Sequence, residues 1–224
     1  GNDLMHVLIT VNAAWNLLNF RRALVAALLK DGHRVTVLAP PDEAFDELRS
    51  MGCNTVALKM DRKGLSPLRD AALMLRFLRQ FRQLRPDVVL SYTIKNNVFG
   101  ALAARVVGIP FLPNVTGLGT AFLSGRALQW VVEKLYSTAF AKVPAVFFQN
   151  GDDRDLFLTR RLVQKHQVRL LPGSGIDLDY FSPQEMPTED TVSFLLIARV
   201  LRDKGVVEYA QAAVQRDIDI FKRA

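Results

Sequence analysis

Cysteine is nearly absent from this 224-residue sequence. Cys53 stands alone, so no intrachain disulfide can form and no thiolate cluster exists for zinc; a single cysteine after a glycine reads as a small buried hydrophobe. Long apolar runs are missing too. Arg, Lys, Asp or Glu interrupts every hydrophobic stretch before the ~18 to 20 residues that a spanning helix needs. The start has neither the basic segment nor the apolar core of a secretory signal, and residues 1–4 read as a cloning remnant ahead of an initiator at Met5. These absences point to a protein of the reducing cytoplasm. Glycine is lacking where a dinucleotide enzyme would need it: the segment from Thr10 to Asn16 contains none, so the G-x-G-x-x-G fingerprint is missing and nicotinamide or flavin chemistry is not expected. Neither a cofactor nor a metal is expected.

What is there suits an α/β protein. Half of the residues are hydrophobic, enough for one sizeable core plus a fragment. Short runs rich in Val, Ile, Leu and Phe recur at 5–11, 34–39, 54–58, 87–91, 110–115, 144–149, 167–171 and 192–198, as expected of strands covered on both faces. Between them Leu17 to Asp31, Ser66 to Arg85, Lys95 to Val107 and Gly125 to Lys142 have helical spacing. Alternation of this kind predicts a doubly wound parallel sheet, because parallel neighbours need crossover helices. Asp31-Gly32, Arg85-Pro86-Asp87 and Gly108-Ile109-Pro110 each stop a helix and launch a strand. The expected organisation is a domain over 5–171, a Pro- and Gly-rich linker over 172–191, and the opening strand and helix of a second domain over 192–224.

In an open parallel sheet the binding crevice lies beyond the carboxyl ends of the strands. After the first run, Asn16 and Asn19 either cap the first helix or face a phosphate or sugar at its positive end. After the fourth comes the polar cluster Ser91-Tyr92-Thr93-Ile94-Lys95-Asn96-Asn97. After the fifth comes Asn114-Val115-Thr116-Gly117-Leu118-Gly119-Thr120, in which Asn and Thr can bond sugar hydroxyls, or can simply stabilise a turn. Arg199 and Lys204, in the segment leaving the last run, can clamp a diphosphate; on chemistry alone a solvated basic surface is the better reading.

The net charge of +7 attracts polyanions, whether nucleic acid, anionic lipid or a diphosphate-bearing substrate. On a helix over 66–85, Leu73, Met74, Phe77, Phe81 and Leu84 share one side. Arg69, Arg76, Arg79 and Arg82 share the other, with Leu68 and Leu75 among them. Basic residues interleaved with exposed leucines suit an anionic bilayer surface, and equally a solvated face with two scattered leucines. Trp130, Tyr136 and Phe140, among Arg126, Lys134 and Lys142, offer a second such stretch or part of a core.

In order and wording these segments resemble the family 4 retaining glycosyltransferases of the GT-B fold, from Met5 to about Val214. Leu17-Leu18-Asn19-Phe20-Arg21, Ser91-Tyr92-Thr93-Ile94-Lys95 and Asn114-Val115-Thr116-Gly117-Leu118-Gly119 are similar to the branch that adds N-acetylhexosamines or related sugars to polyprenyl-diphosphate-linked acceptors. The resemblance implies a Rossmann-like acceptor-side half of a GT-B enzyme. It further implies a UDP-sugar donor, a lipid-linked acceptor in surface-glycan assembly, and a peripheral place on the inner face of the cytoplasmic membrane. The family's strand-end Arg and its Lys before Gly, which bind the donor diphosphate, match Arg199 and Lys204. Asn16, Asn19, Tyr92, Thr93, Lys95, Asn114, Thr116 and Gly117 are the expected contacts to acceptor or donor sugar. The family's paired-glutamate motif would lie beyond residue 224, so the chain alone is expected to be nearly inactive. Two features depart from the pattern: Ala13-Ala14-Trp15-Asn16 replaces a Gly-Gly loop, and Thr116 stands where a His is frequent. The alternatives are a non-catalytic membrane- or glycan-binding module and a basic nucleic-acid-binding domain. No nucleic-acid motif or stacking aromatics support the latter, so nucleic acid is not an expected partner.

Overall fold

The computed structural model describes residues 3–61, 64, 66–117, 125–185 and 194–215. Leu118, Gly119 and Thr120 of the third loop, part of the expected linker (186–190), and Thr191 to Ser193 lie outside the described residues. The chain divides into two compact units, Gly1–Asp177 and Leu178–Ala224, so the division falls inside the segment read as a linker.

In the first unit the described strands are β1 (His6–Thr10), β2 (Arg34–Ala39), β3 (Asn54–Ala57), β4 (Val88–Tyr92), β5 (Phe111–Val115), β6 (Val146–Phe148) and β7 (Val168–Leu170). They form one sheet, ordered β3-β2-β1-β4-β5-β6-β7, with every pairing parallel. The helices are α1 (Ala14–Lys30), α2 (Ala44–Met51), α3 (Pro67–Leu84), α4 (Ile94–Val107), α5 (Arg126–Phe140) and α6 (Gly151–Thr159).

Successive residues of a strand face opposite sides, and β1 shows the result. Val7 and Ile9 join the core under α1 and α2, with Leu17, Val25, Phe45 and Leu48. Leu8 joins the larger core under α3 to α6, with Phe77, Phe81, Phe111, Tyr136 and Phe157. Burying each such large side chain contributes roughly 1.5–3 kcal/mol. Tyr136, Phe140, Phe148 and Phe157 meet edge to face with ring centroids 5.0–5.3 Å apart, so of the aromatics on α5 only Trp130 is exposed. Helix α4 passes so close to β5 that a Cβ on Gly100 would stand 2.8 Å from the Phe111 ring. Cys53 is buried, and burial pushes its thiol up to about 11.

Two expectations need correction. Helix α1 begins at Ala14 rather than Leu17, and neither Asn16 nor Asn19 caps it; Ala13 precedes it without a side-chain cap. A carboxylate from elsewhere takes that role. Asp42 accepts from the Trp15 N–H at 3.0 Å through one oxygen and from Ala44 N–H at 3.0 Å through the other, tying down amides at the starts of both α1 and α2. The second correction lies in the second unit, where residues 194–198 form no strand. A strand is held by a neighbour's hydrogen bonds, and no other strand exists among the described residues of that unit to supply them. The segment meets instead helix α7 (Val206–Gln215), whose Tyr209 hydroxyl donates to the Phe194 carbonyl at 2.7 Å.

Candidate functional site

The strand order reverses direction between β1 and β4, and a sheet of this kind opens its crevice at that switch point. A cavity of about 320 Å³ lies there. Its wall takes Val11 after β1, Tyr92 and Thr93 at the end of β4, Thr116 after β5, Gln149 after β6 and Ser174 after β7. One side of α1 closes it with Asn16, Leu17, Phe20 and Arg21. The lining is thus part apolar and part hydroxyl and amide, the combination that binds sugars through hydrogen bonds and ring faces. No carboxylate lines it, and Arg21 is its one cation among the described residues.

Thr93 is the strained point of this wall. Its φ of 75° and ψ of 152° fall in a region that side chains other than hydrogen rarely tolerate. A chain of hydrogen bonds holds it there. The Thr93 hydroxyl donates to Asn96 Oδ1 at 2.8 Å, Asn96 Nδ2 donates to Thr10 Oγ1 at 2.8 Å, and Thr10 Oγ1 donates to the Leu38 carbonyl at 2.8 Å. The Asn97 N–H donates to the Thr93 carbonyl at 2.9 Å, and Asn97 Nδ2 reaches the Asn114 carbonyl at 2.8 Å. Asn96 and Asn97 are fully buried, so these bonds form away from water and anchor the rim to β1, β2 and β5.

Arg21 lies over the Tyr92 ring, its guanidinium carbon 4.8 Å from the ring centroid. Burial pushes the Tyr92 phenol above its ordinary range, and the Arg21 guanidinium pulls it partly back. The stack fixes the guanidinium at the cavity edge.

Of the residues expected at a site, Asn16, Tyr92, Thr93 and Thr116 line this one cavity. Asn19 is exposed on α1 and does not line it. Lys95 is turned away into a buried ion pair with Asp70 at 2.8 Å, the two side chains only 10% and 8% exposed. Asn114 is buried and contributes its carbonyl to Asn97, while Gly117 lies just past the wall. Arg199 and Lys204 are exposed in the second unit, Lys204 closing a 3-10 turn over Arg202–Lys204.

The expected basic surface lies on α3. Leu68 and Leu75 are exposed, at 86% and 65%; Arg69, Arg79 and Arg82 are exposed and Arg76 is half-buried. Two of the arginines are engaged locally, Arg69 with Asp61 at 3.0 Å and Arg76 with the Lys59 carbonyl at 3.0 Å. Leu68, Arg69 and Arg76 border a second cavity of about 490 Å³ with Lys59 and Met60. Among the described residues no group of three His, Cys, Asp or Glu side chains could hold a metal. No described helix is long and apolar enough to cross a membrane.

Sequence reasoning passed over Val11, Leu17, Phe20, Arg21, Gln149 and Ser174 as site residues. Gln149 and Ser174 were within reach of the strand-end rule, since Gln149 ends one apolar run and Ser174 follows another. Arg21 lay in the 17–21 segment that carries the resemblance but did not read as a site residue, because it sits two turns into a helix whose start is earlier than the spacing predicts.

A parallel sheet with helices on both faces and a polar crevice at its switch point defines a Rossmann-like ligand-binding domain, here the half of the GT-B architecture. Residues 19–173, more than half of the chain, match the glycosyl transferase 4-like domain, and the chain belongs to that family. It is similar to the N,N'-diacetylbacillosaminyl-diphospho-undecaprenol alpha-1,3-N-acetylgalactosaminyltransferase of Campylobacter jejuni, 26% identical over 90% of this chain and 58% of the relative. It is also similar to the UDP-Gal:alpha-D-GlcNAc-diphosphoundecaprenol alpha-1,3-galactosyltransferase of Escherichia coli, 18% identical over 67% of this chain and 42% of the relative. The chain therefore spans about half the length of these curated relatives. In fold it is similar to a glycosyltransferase from Rickettsia africae, with TM-score 0.59 at 14% identity over 83% of this chain and 47% of that one. A further likeness is to Anabaena HepE in complex with UDP and glucose, with TM-score 0.56 at 15% identity over 78% and 46%.

Proposed function

We propose that this chain is the acceptor-side portion of a retaining glycosyltransferase that moves a sugar, an N-acetylhexosamine, from a UDP-sugar to a polyprenyl-diphosphate-linked acceptor during surface-glycan assembly. The observation that carries the reading is the cavity where the ends of β1, β4, β5, β6 and β7 converge, walled by hydroxyls, amides, Arg21 and apolar surface, with no carboxylate among the described residues that line it. Family membership and the names of both curated relatives support a lipid-diphosphate acceptor. The HepE complex and the name of the E. coli relative support a UDP-sugar donor. Arg199 and Lys204 hold the donor diphosphate in this reading, and the departing charge is stabilised by cations and helix ends without a metal. Residues 192–224 open the donor-binding domain, and residues 172–191 join it to the first.

The basic and leucine-bearing side of α3 sets the enzyme peripherally on the inner face of the cytoplasmic membrane. Four arginines beside Leu68 and Leu75 supply both the charge and the apolar contact that an anionic bilayer takes up. Liposome co-sedimentation compares the chain with a variant in which Arg69, Arg76, Arg79 and Arg82 are changed to Glu. Equal pelleting of the two removes the membrane assignment.

The reaction itself is tested by following sugar transfer and release from UDP-N-acetylgalactosamine and UDP-N-acetylglucosamine, with an undecaprenyl-diphosphate-linked saccharide as acceptor. The 224-residue chain alone is expected to bind the acceptor but to turn over poorly. Turnover matching a full-length homologue contradicts the expected inactivity, and failure to bind any lipid-diphosphate sugar contradicts the acceptor-side reading.

A further inference from the structure

We propose that Arg21 is the anion-recognition residue of the strand-end cavity and takes the diphosphate of an isoprenoid-linked sugar, with Trp15 and Phe20 receiving the first isoprene units. The proposal rests on the acceptor-side reading above and adds to it the residues and the orientation.

The first ground is charge. Arg21 is the cation lining a cavity that no described carboxylate lines, and among the described residues no acid pairs with it. The acids nearby are otherwise engaged: Glu47 pairs with the adjacent Arg22, and Asp42 accepts from the Trp15 and Ala44 amides. One Arg21 amine donates to the Phe20 carbonyl at 3.0 Å. A guanidinium has five N–H donors in a fixed fork, and with one on the Phe20 carbonyl and one shared with the Tyr92 hydroxyl others remain for phosphate oxygens. Stacking on Tyr92 at 4.8 Å holds that fork in place before any ligand arrives.

The second ground is independent of the first and decides which diphosphate is meant. Trp15 and Phe20 are 50% and 54% exposed and meet edge to face with centroids 6.4 Å apart. Phe20 adjoins Arg21 in sequence and lines the cavity, and Trp15, on the same helix, extends that apolar surface outward through its contact with Phe20. A nucleotide carries a polar ribose beyond its diphosphate, whereas an isoprenoid carries hydrocarbon there, and hydrocarbon is what two exposed rings desolvate well. The sugar then points to the hydroxyl and amide wall of Thr93, Thr116, Gln149 and Ser174.

Isothermal titration of the 224-residue chain tests this with three probes: farnesyl-diphosphate-linked N-acetylglucosamine, the same glycoside joined to farnesol without the diphosphate, and UDP-N-acetylgalactosamine. Arg21→Ala is expected to weaken the first probe about ten- to hundredfold, the range of a charge-assisted hydrogen bond, and to leave the weak binding of the second unchanged. Arg21→Lys restores part of the loss, because an ammonium supplies charge without the fork. Phe20→Ala weakens both farnesyl probes alike. Urea midpoints confirm that each variant is folded. If the wild-type chain does not bind the farnesyl-diphosphate probe, the acceptor-side reading itself fails, whether or not UDP-N-acetylgalactosamine binds. If it binds the farnesyl diphosphate and Arg21→Ala binds equally well, the proposal alone is overturned. If Arg21→Ala weakens only UDP-N-acetylgalactosamine, the site reads the donor and the isoprenoid assignment is overturned.

Discussion

Replacing Thr93 by glycine and, separately, by alanine measures how much energy the cavity rim holds in reserve. Both changes delete the hydrogen bond from the Thr93 hydroxyl to Asn96, worth about 1 kcal/mol, and both strand the same buried acceptor. Those losses cancel in the comparison. What differs is the backbone at φ 75° and ψ 152°: alanine keeps a strain of about 1–3 kcal/mol, and glycine is at ease there. Glycine in turn gives up about 0.5–1 kcal/mol to its freer unfolded chain. The balance favours Thr93→Gly over Thr93→Ala by about 1 kcal/mol, the reverse of the order found at ordinary positions. Urea unfolding followed by the fluorescence of Trp15 and Trp130, both within the first unit, reads this directly. With a slope of about 2 kcal/mol per molar, the glycine midpoint should lie about 0.5 M above the alanine one. An alanine variant as stable as the glycine variant, or more so, would refute the account of a rim held by its hydrogen bonds in an unfavourable conformation.

Removing Asp70 strands the buried ammonium of Lys95 and the Ser66 N–H that donates to the same carboxylate at 2.9 Å. Asp70→Ala should therefore lower stability by about 3 kcal/mol, while Asp70→Leu with Lys95→Met should recover most of it; chemical denaturation of the single and double variants checks the pair. Gly100→Ala gains helix propensity of about 1 kcal/mol but drives a methyl into the buried Phe111 ring, so a net loss of about 1 kcal/mol is expected. Adding Phe111→Leu should return part of that loss, and an unaltered midpoint for Gly100→Ala alone would contradict the close approach of α4. Burial first and the Arg34 guanidinium second hold the His6 imidazole below its ordinary value, so the unfolded chain binds the proton more readily. The stability linked to His6 is complete above about pH 6.5 and declines as pH falls below it. His6→Gln should flatten that part of the profile, and parallel profiles for the two proteins would count against it.

The strands were legible because a doubly wound sheet buries both of their faces, and Val35 to Ala39 or Phe111 to Val115 can be read as such from composition alone. The late start given to α1 has a different origin. Its N-terminal amide is satisfied by Asp42, 27 residues from Trp15, and a cap supplied from that distance leaves no local mark. Lys95 misled for a related reason. A lysine beside Tyr92 and Thr93 reads as a ligand group until its partner on α3 is known, since a buried ion pair is a fact of packing. At 194–198 the apolar pattern was genuine, but a pattern becomes a strand only when a neighbour completes its hydrogen bonds. Arg21 belongs to the opposite case, a residue of the 17–21 segment whose place on the cavity wall shows only once α1 is set against the strand ends.

The walls of that cavity opposite α1 each follow a different strand and amount to one or two side chains. A substitution at Thr116, Gln149 or Ser174 thus alters one facet of the enclosure and leaves the others standing, since the sheet beneath does not depend on it. The shape and polarity of such an enclosure can therefore change one facet at a time without rebuilding the sheet.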